Sequence, residues 1–390
     1  MALRSTRAVF MRGGTSKALV FRAEDLPADR LAWNPIFLAA TGSPDPNGRQ
    51  LDGMGGGVSS LSKVCVVGPP SRGDADVDYT FAQVAIDRAE VDYAGNCGNM
   101  SSAIGPFALD EGLVPAPAEG DATVRIHNTN TGKIIVARFP VEDGRAASTG
   151  DLAIDGVSGT AAPIRLDFAD PGGAKTGRLL PTGNPADALD VPGLGRVRVS
   201  LIDAANPSVL VAAADLGMGG TEAPAAIERD RGLMDRLEML RRAAAVRMGL
   251  APDLDAAARV VSIPKVGILS APVDTVLLSG ATLAAGEVDI VARMISVGQP
   301  HRAVPLTGAL CLAVACRVPG SVAHGLVRQA ASDGDPAAAV RIGHPSGSIL
   351  VAAEVMPGDD GPRVPFATVF RTARRLFQGE VFYAVPRPER

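Results

Sequence analysis

The stretch Gly95-Asn96-Cys97-Gly98-Asn99-Met100-Ser101-Ser102-Ala103-Ile104-Gly105-Pro106-Phe107-Ala108-Leu109-Asp110-Glu111-Gly112 decides how the rest of the chain is read. From Asn99 to about Leu113 it predicts a helix with Ile104, Phe107, Ala108 and Leu109 among small residues on every side. Polar residues are scarce on it until Asp110-Glu111, and Gly112 is a stop signal. A helix that is apolar all round belongs at the centre of a domain rather than on its surface. A second stretch of the same kind runs from Thr307 to Val318 and is closed by Pro319-Gly320. Comparison of SSAIGPFAL with TGALCLAVA gives a weak internal repeat.

Around each helix the sequence reads as short strands. In the first half, strands are expected at 7–11, 17–21, 62–67, 77–86, 89–93, 123–127, 134–140 and 164–168. The turn Gly13-Gly14-Thr15-Ser16 makes a hairpin of the first two. In the second half they are expected at 197–202, 208–213, 260–266, 275–278 and 348–351, with a surface helix over 229–248 where charges alternate with Leu and Met. The Pro/Gly-rich stretch 171–195 shows no period and reads as the link. The expected architecture is α+β: two domains, each a mixed, barrel-like sheet around one buried helix. Residues 1–188 form the first, completed by 365–390, whose last strand (380–385) covers an edge that the N-terminal strands would otherwise leave open. Residues 189–364 form the second.

With 390 residues and 46% hydrophobic composition there is enough apolar material for two cores, and disorder, coiled coil and collagen-like repeats are excluded. A net charge of −4 without a dense Lys/Arg run argues against a nucleic-acid or membrane-surface partner. No apolar run reaches the length of a membrane helix, and the N-terminus lacks the apolar segment of a signal peptide. Four cysteines (Cys65, Cys97, Cys311, Cys316) are too few for a disulfide scaffold and read as reduced thiols of a cytoplasmic protein. The four histidines show no ligand spacing, and neither H-E-x-x-H nor C-x-x-C occurs. Neither a metal nor another cofactor is therefore expected.

Two segments carry candidate chemistry. Cys97 stands at the N-terminal end of the first buried helix, beside unsatisfied N–H groups and the positive end of the dipole. That setting favours a thiolate and binds carboxylates. Gly98 admits a ligand close to the backbone and Asn99 adds an amide. The plain alternative is a small buried thiol at a helix cap. Lys63, at the end of Asp52-Gly53-Met54-Gly55-Gly56-Gly57-Val58-Ser59-Ser60-Leu61-Ser62, opens an apolar strand on the face of Cys65 and Val67. It is either a pocket amine or a strand-end lysine reaching for water. The glycine run before it precedes a strand, which is wrong for a dinucleotide or phosphate loop. Thr15 and Ser16 in the first hairpin turn, and Ser346 and Gly347 in His344-Pro345-Ser346-Gly347, offer hydroxyls and amides.

Taken together, M-R-G-G-T-S-K at 11–17, D-G-M-G-G-G-V-S-S-L-S-K at 52–63, G-N-C-G-N-M-S-S-A-I-G-P-F-A at 95–108, H-R-A-V-P-L-T-G-A at 301–309 and G-H-P-S-G at 343–347 resemble the PrpF-type methylaconitate isomerase family. That family shares the diaminopimelate epimerase fold. The resemblance implies two domains with the active site in the cleft between them, and Lys63 and Cys97 as the catalytic pair. It covers nearly the whole chain. Members act on 2-methylaconitate, methylitaconate or 4-oxalomesaconate. In one respect the chain departs from the related epimerases, which carry a cysteine at the head of each central helix. Here the second head is Val304-Pro305-Leu306-Thr307-Gly308, so a two-thiol racemase is disfavoured. Asn206-Pro207 resembles the substrate-touching Asn-Pro loop of those epimerases.

The expected reaction is isomerisation of an unsaturated di- or tricarboxylate, a small-molecule substrate, by allylic proton abstraction without cofactor. Lys63 would act as the base, which requires an unprotonated amine. Cys97 would return or relay the proton. Thr15, Ser16, Gly98, Asn99, Asn206, Lys265, His301, Arg302, Thr307, Gly308, Ser346 and Gly347 are the expected substrate contacts. The rivals are an amino-acid or hydroxy-acid racemase and a non-catalytic carboxylate-binding module. Oligomeric state stays open, a homodimer among the options.

Overall fold

The structure is a computed structural model that describes residues 2–117, 120–329, 339–358 and 361–385. The chain divides into two compact units. One comprises Met1–Ala153, Gly159–Leu166 and Phe370–Arg390, the other Ile154–Ser158 and Asp167–Val369. Residues 167–188 thus group with the second unit, and the stretch read as a link contains a strand, Asp187–Val191, whose residues alternate between buried and open.

In the first unit the hairpin Ala2–Gly13 and Ser16–Arg22 is antiparallel, and Ser16–Arg22 then runs parallel to Lys63–Gly68. Lys63–Gly68 is antiparallel to Val77–Val84, which is parallel to Asp121–Asn128, which is antiparallel to Lys133–Glu142. The long strand Ala373–Val385 lies antiparallel along Ala2–Gly13, with a bulge at Phe10/Met11. Each parallel step needs a crossover. A helix, Trp33–Thr41, lies in the first and the central helix Gly98–Asp110 in the second.

Period-2 alternation sorts the strand residues between these two helices. Leu19, Phe21, Val64, Val66, Ala82 and Val84 pack with Trp33, Ile36 and Phe37 on one face. The intervening residues Lys63, Cys65, Tyr79, Phe81 and Gln83 therefore take the other face, that of the central helix. The central helix is buried at every position from Gly98 to Leu109, as its composition demands.

The second unit repeats the plan with the same sequence of strand senses. Gly195–Ala204 is antiparallel to Asn206–Ala212, parallel to Lys265–Ser270, antiparallel to Ile290–Ser296, parallel to Ala339–His344 and antiparallel to Gly347–Ala353, each strand pairing with the next. Its first crossover carries the helix Arg231–Arg247, which lays Leu233, Leu237 and Leu240 on Val209, Val211, Val266 and Ile268. Its second carries the helix Leu306–Cys316, buried at all eleven positions. The repeat, weak in sequence, is complete in topology.

One expectation is corrected here and two elements are added. The strand expected at 260–266 begins only at Lys265, because 254–259 is helical and Pro264 has no N–H to give a central ladder. The strand Ile290–Ser296 and the helix Trp33–Thr41 were not foreseen. Among the described residues no helix is long and apolar enough to cross a membrane.

Candidate active site

Lys63 opens its strand in register with Gln83 of the neighbouring strand. The lysine is buried, 7% exposed, and its Nζ donates to Gln83 Oε1 at 2.5 Å and lies 5.0 Å from the Phe81 ring centroid. The amide of Gln83 cannot turn over freely, because its Nε2 donates to the carbonyls of Ser59 and Ser62 at 3.1 and 2.9 Å. That leaves the amide oxygen facing the amine. The glycine-rich loop before Lys63 is tied from beneath. Gln50 donates to Ser62 Oγ at 2.7 Å and accepts from the Gly57 amide at 3.0 Å.

Two residues along the same strand face, Cys65 is fully buried. Burial pushes its thiol far up; the Cys97 thiol adds to the effect, and the Tyr79 hydroxyl and Lys63 oppose it. Tyr79 stands between Cys65 and the helix head. It is 3.8 Å from the Cys65 sulfur and donates to the Cys97 carbonyl at 3.4 Å, with its phenol raised well above the usual range by burial and then by Cys65 and Cys97. Cys97 is the N-cap residue, in extended conformation (φ −111°, ψ 94°), and its side chain makes no capping bond. Its carbonyl accepts from the amide and hydroxyl of Ser101.

The helix head is locked onto the first hairpin. Asn99 Nδ2 donates to Thr15 Oγ1 at 3.0 Å. Gly14 takes φ +52°, and a Cβ there would sit 2.3 Å from Asn99 Oδ1; one on Gly13 would sit 2.6 Å from the Asn99 carbonyl. Ser16 is buried alongside. Lys63, Cys97, Gly98, Asn99, Thr15 and Ser16 thus all belong to the first unit, and the last four are contiguous.

The second unit builds a matching head. Lys265 opens the strand equivalent to that of Lys63, is 6% exposed, and donates to Ser262 O and Ser296 Oγ, each at 3.3 Å. Its stem lies beside Gly308. Asn206 Nδ2 donates to Thr307 Oγ1 at 3.2 Å, the counterpart of the Asn99–Thr15 bond with donor and acceptor exchanged between helix head and hairpin. Pro305 takes the N-cap place that Cys97 holds in the first unit. Of the remaining expected contacts, Arg302 is exposed and its carbonyl accepts from Ser346 Oγ at 2.7 Å, so that hydroxyl ties two loops together. His301 is partly buried and donates its amide to Met294. Gly347, at φ +143°, packs under Asp155. Cys311 and Cys316 are core, with burial raising the Cys311 thiol to about 12. Among the described residues no cluster of three or more His, Cys, Asp or Glu side chains is placed to hold a metal ion.

Two contributors escaped the sequence. Gln83 is visible only once strand register places it across from Lys63. Arg371, 7% exposed, lies 272 residues from its partner Asn99, to whose Oδ1 it donates from Nε at 3.3 Å. No local signal marks it.

Two units of one topology, each a sheet around a buried helix, define the diaminopimelate epimerase-like fold. The match to known proteins narrows this. The PrpF protein family profile covers residues 3–384, and the chain belongs to that family. It is 42% identical over 376 residues to 3-methylitaconate isomerase from Eubacterium barkeri, covering 96% of each chain. It is 40% identical over 391 residues to 2-methyl-aconitate isomerase from Shewanella oneidensis, covering 98% of this chain and 97% of that one. The crystal structure of a methylitaconate-delta-isomerase superposes with a TM-score of 0.77 at 40% identity and full coverage of both chains. A hydroxyproline epimerase from Agrobacterium vitis shares the fold alone, at 13% identity and a TM-score of 0.56 over 97% of this chain and 93% of that one.

Proposed function

We propose that the protein isomerises an unsaturated di- or tricarboxylate of the methylaconitate, methylitaconate or oxalomesaconate type by moving one allylic proton. Lys63 takes the proton. The electron pair left on carbon spreads over the double bond into a carboxylate, giving a dienolate whose charge rests on oxygen. Amide N–H groups at the head of the Gly98–Asp110 helix have no intrahelical acceptor and suit that oxygen. One such preorganised donor is worth about 3–4 kcal/mol of barrier. Cys97 returns or relays the proton. Reprotonation at the far carbon shifts the double bond; rotation in the dienolate before reprotonation gives cis–trans exchange. The proton taken by Lys63 passes back to the substrate directly or through Cys97, which restores the neutral amine and the thiol, so atoms and charge balance in both and no further reactant enters.

The observation that carries this reading is that Lys63 lies buried on the same inner sheet face as Cys65 and Tyr79, and that the Tyr79 hydroxyl, 3.8 Å from the Cys65 sulfur, donates to the Cys97 carbonyl at 3.4 Å. The substrate class is supported by the names of the two relatives. A two-thiol racemase is disfavoured by Pro305 at the second helix head.

The test is NMR in D₂O. Incubation with methylaconitate, methylitaconate and oxalomesaconate is expected to place deuterium at an allylic carbon of one of them. Lys63→Met is expected to slow that exchange about 10²–10⁴-fold. Undiminished exchange in Lys63→Met removes the assigned base, and absence of exchange with all three removes the substrate class.

A further inference from the structure

Arg371 ends the strand Phe366–Arg371, and Thr372 separates that strand from Ala373–Val385. The break is held against the first hairpin turn. The Gly14 amide donates to the Thr372 carbonyl at 2.9 Å, and Arg12 Nη1 donates to the same carbonyl and to Thr372 Oγ1, both at 3.0 Å. This fastening brings the guanidinium to the head of the central helix, where Nε meets Asn99 Oδ1. Its other contact is Nη1 to the carbonyl of its own neighbour Phe370 at 3.1 Å. Both partners are neutral. Among the described residues no carboxylate pairs with Arg371, and none accepts from its Nη2.

A buried charge without a counter-charge is expensive, which is why buried arginines are ordinarily paired. Arg341 pairs with Asp289, Arg375 with Glu111 and Arg241 with Glu238, whereas Arg293, on a central strand of the second unit, is likewise buried and donates to the carbonyls of Glu222 and Ala292. What sets Arg371 apart is its place at the head of the central helix. Burial alone drags its guanidinium down to about 10, with no acid opposing the shift. The same place receives the positive end of a thirteen-residue helix. Two positive features converge where no protein anion is supplied.

We propose that Arg371 and the head of the Gly98–Asp110 helix together bind one carboxylate of the substrate. This inference rests on the functional reading above and adds to it the group that holds the substrate in place. The planar guanidinium suits a bidentate grip on a carboxylate, and Asn99, fixed by Thr15, sets the plane in which the guanidinium lies. Arg371 then acts on substrate affinity and orientation, and takes no proton.

The test uses propane-1,2,3-tricarboxylate, which is saturated and cannot isomerise, titrated calorimetrically into the full-length protein. Wild type is expected to bind it, Arg371→Met to bind at least 30-fold more weakly, and Arg371→Lys to fall between. Asn99→Asp supplies the missing counter-charge from within, since Thr15 can donate to one carboxylate oxygen and Arg371 to the other. It is expected to raise the melting temperature of the ligand-free protein and to lower affinity. Equal affinity in wild type and Arg371→Met overturns the inference and leaves the functional reading standing. Should Arg371→Met be too unstable to titrate, Asn99→Asp decides: unchanged affinity with a lower melting temperature overturns the proposal. Failure of wild type itself to bind, together with absence of proton exchange, overturns both.

Discussion

Gln83 faces Lys63 across the sheet and holds the amine through its amide oxygen, while its own NH₂ is spent on two main-chain carbonyls. The amide therefore presents an acceptor to the lysine and has no rotational choice. On the reaction proposed above, with Lys63 as the base, this makes Gln83 a positioning residue. Gln83→Leu keeps the bulk and loses the acceptor; kcat is expected to fall about tenfold with KM little changed, because the base is misplaced and not the substrate. Gln83→Glu is expected to fall further, since a carboxylate opposite the amine stabilises its ammonium form. Steady-state kinetics with melting curves for both variants make the check. A Leu variant worse than the Glu variant in kcat, or a loss carried by KM, shows that Gln83 acts otherwise.

The two buried helices announced the fold because nothing else explains thirteen and eleven positions with so little polarity, and the strands around them followed from alternation. What stayed hidden did so for physical reasons. Ile290–Ser296 carries Arg293 in its middle, 1% exposed, with Nε donating to the Glu222 carbonyl at 2.7 Å. A strand buried on both faces shows no period, and a charge inside it disguises it further. Trp33–Thr41 is a nine-residue helix between turns, too short to show its repeat. In the site, Lys63 and Cys97 stood out because motif and position agreed. Gln83 and Arg371 did not, because one depends on strand register and the other on a return of the chain from its far end.

Gly14 carries the junction between hairpin and helix head. At φ +52° a side chain is strained, and a Cβ would overlap Asn99 Oδ1 at 2.3 Å. Gly14→Ala is expected to cost about 1–3 kcal/mol of stability. It also pushes the Asn99 amide away from both Thr15 and Arg371. Denaturant unfolding and tricarboxylate titration on the same variant check the pair of effects. Gly112, also at positive φ (69°) but with open space around its Cβ position, is the control. Gly112→Ala is expected to lose stability by strain alone and to keep its affinity.

Asp289 fastens the second unit's sheet at the strand Ile290–Ser296. Its carboxylate accepts from Arg341 Nη2 at 2.6 Å, Nε at 3.1 Å and the amide at 2.9 Å, with Arg328 at 3.5 Å. Burial raises its pKa, but the bonds from Arg341 and the charges of Arg341 and Arg328 outweigh burial and leave it below the usual carboxylate range. A group with a depressed folded pKa contributes stability above its unfolded pKa, and that contribution disappears as pH falls through the folded value. Both arginine side chains are 40% exposed, so solvent screening discounts the charge contribution and the hydrogen bonds carry most of it. Asp289→Asn is expected to destabilise the protein by about 1–3 kcal/mol at pH 7. The difference from wild type is expected to shrink steadily once pH drops below about 4. Urea unfolding of both proteins at pH 7, 5 and 3 measures this directly, and a difference that stays constant down to pH 3 places the effect in packing and not in the ionised carboxylate.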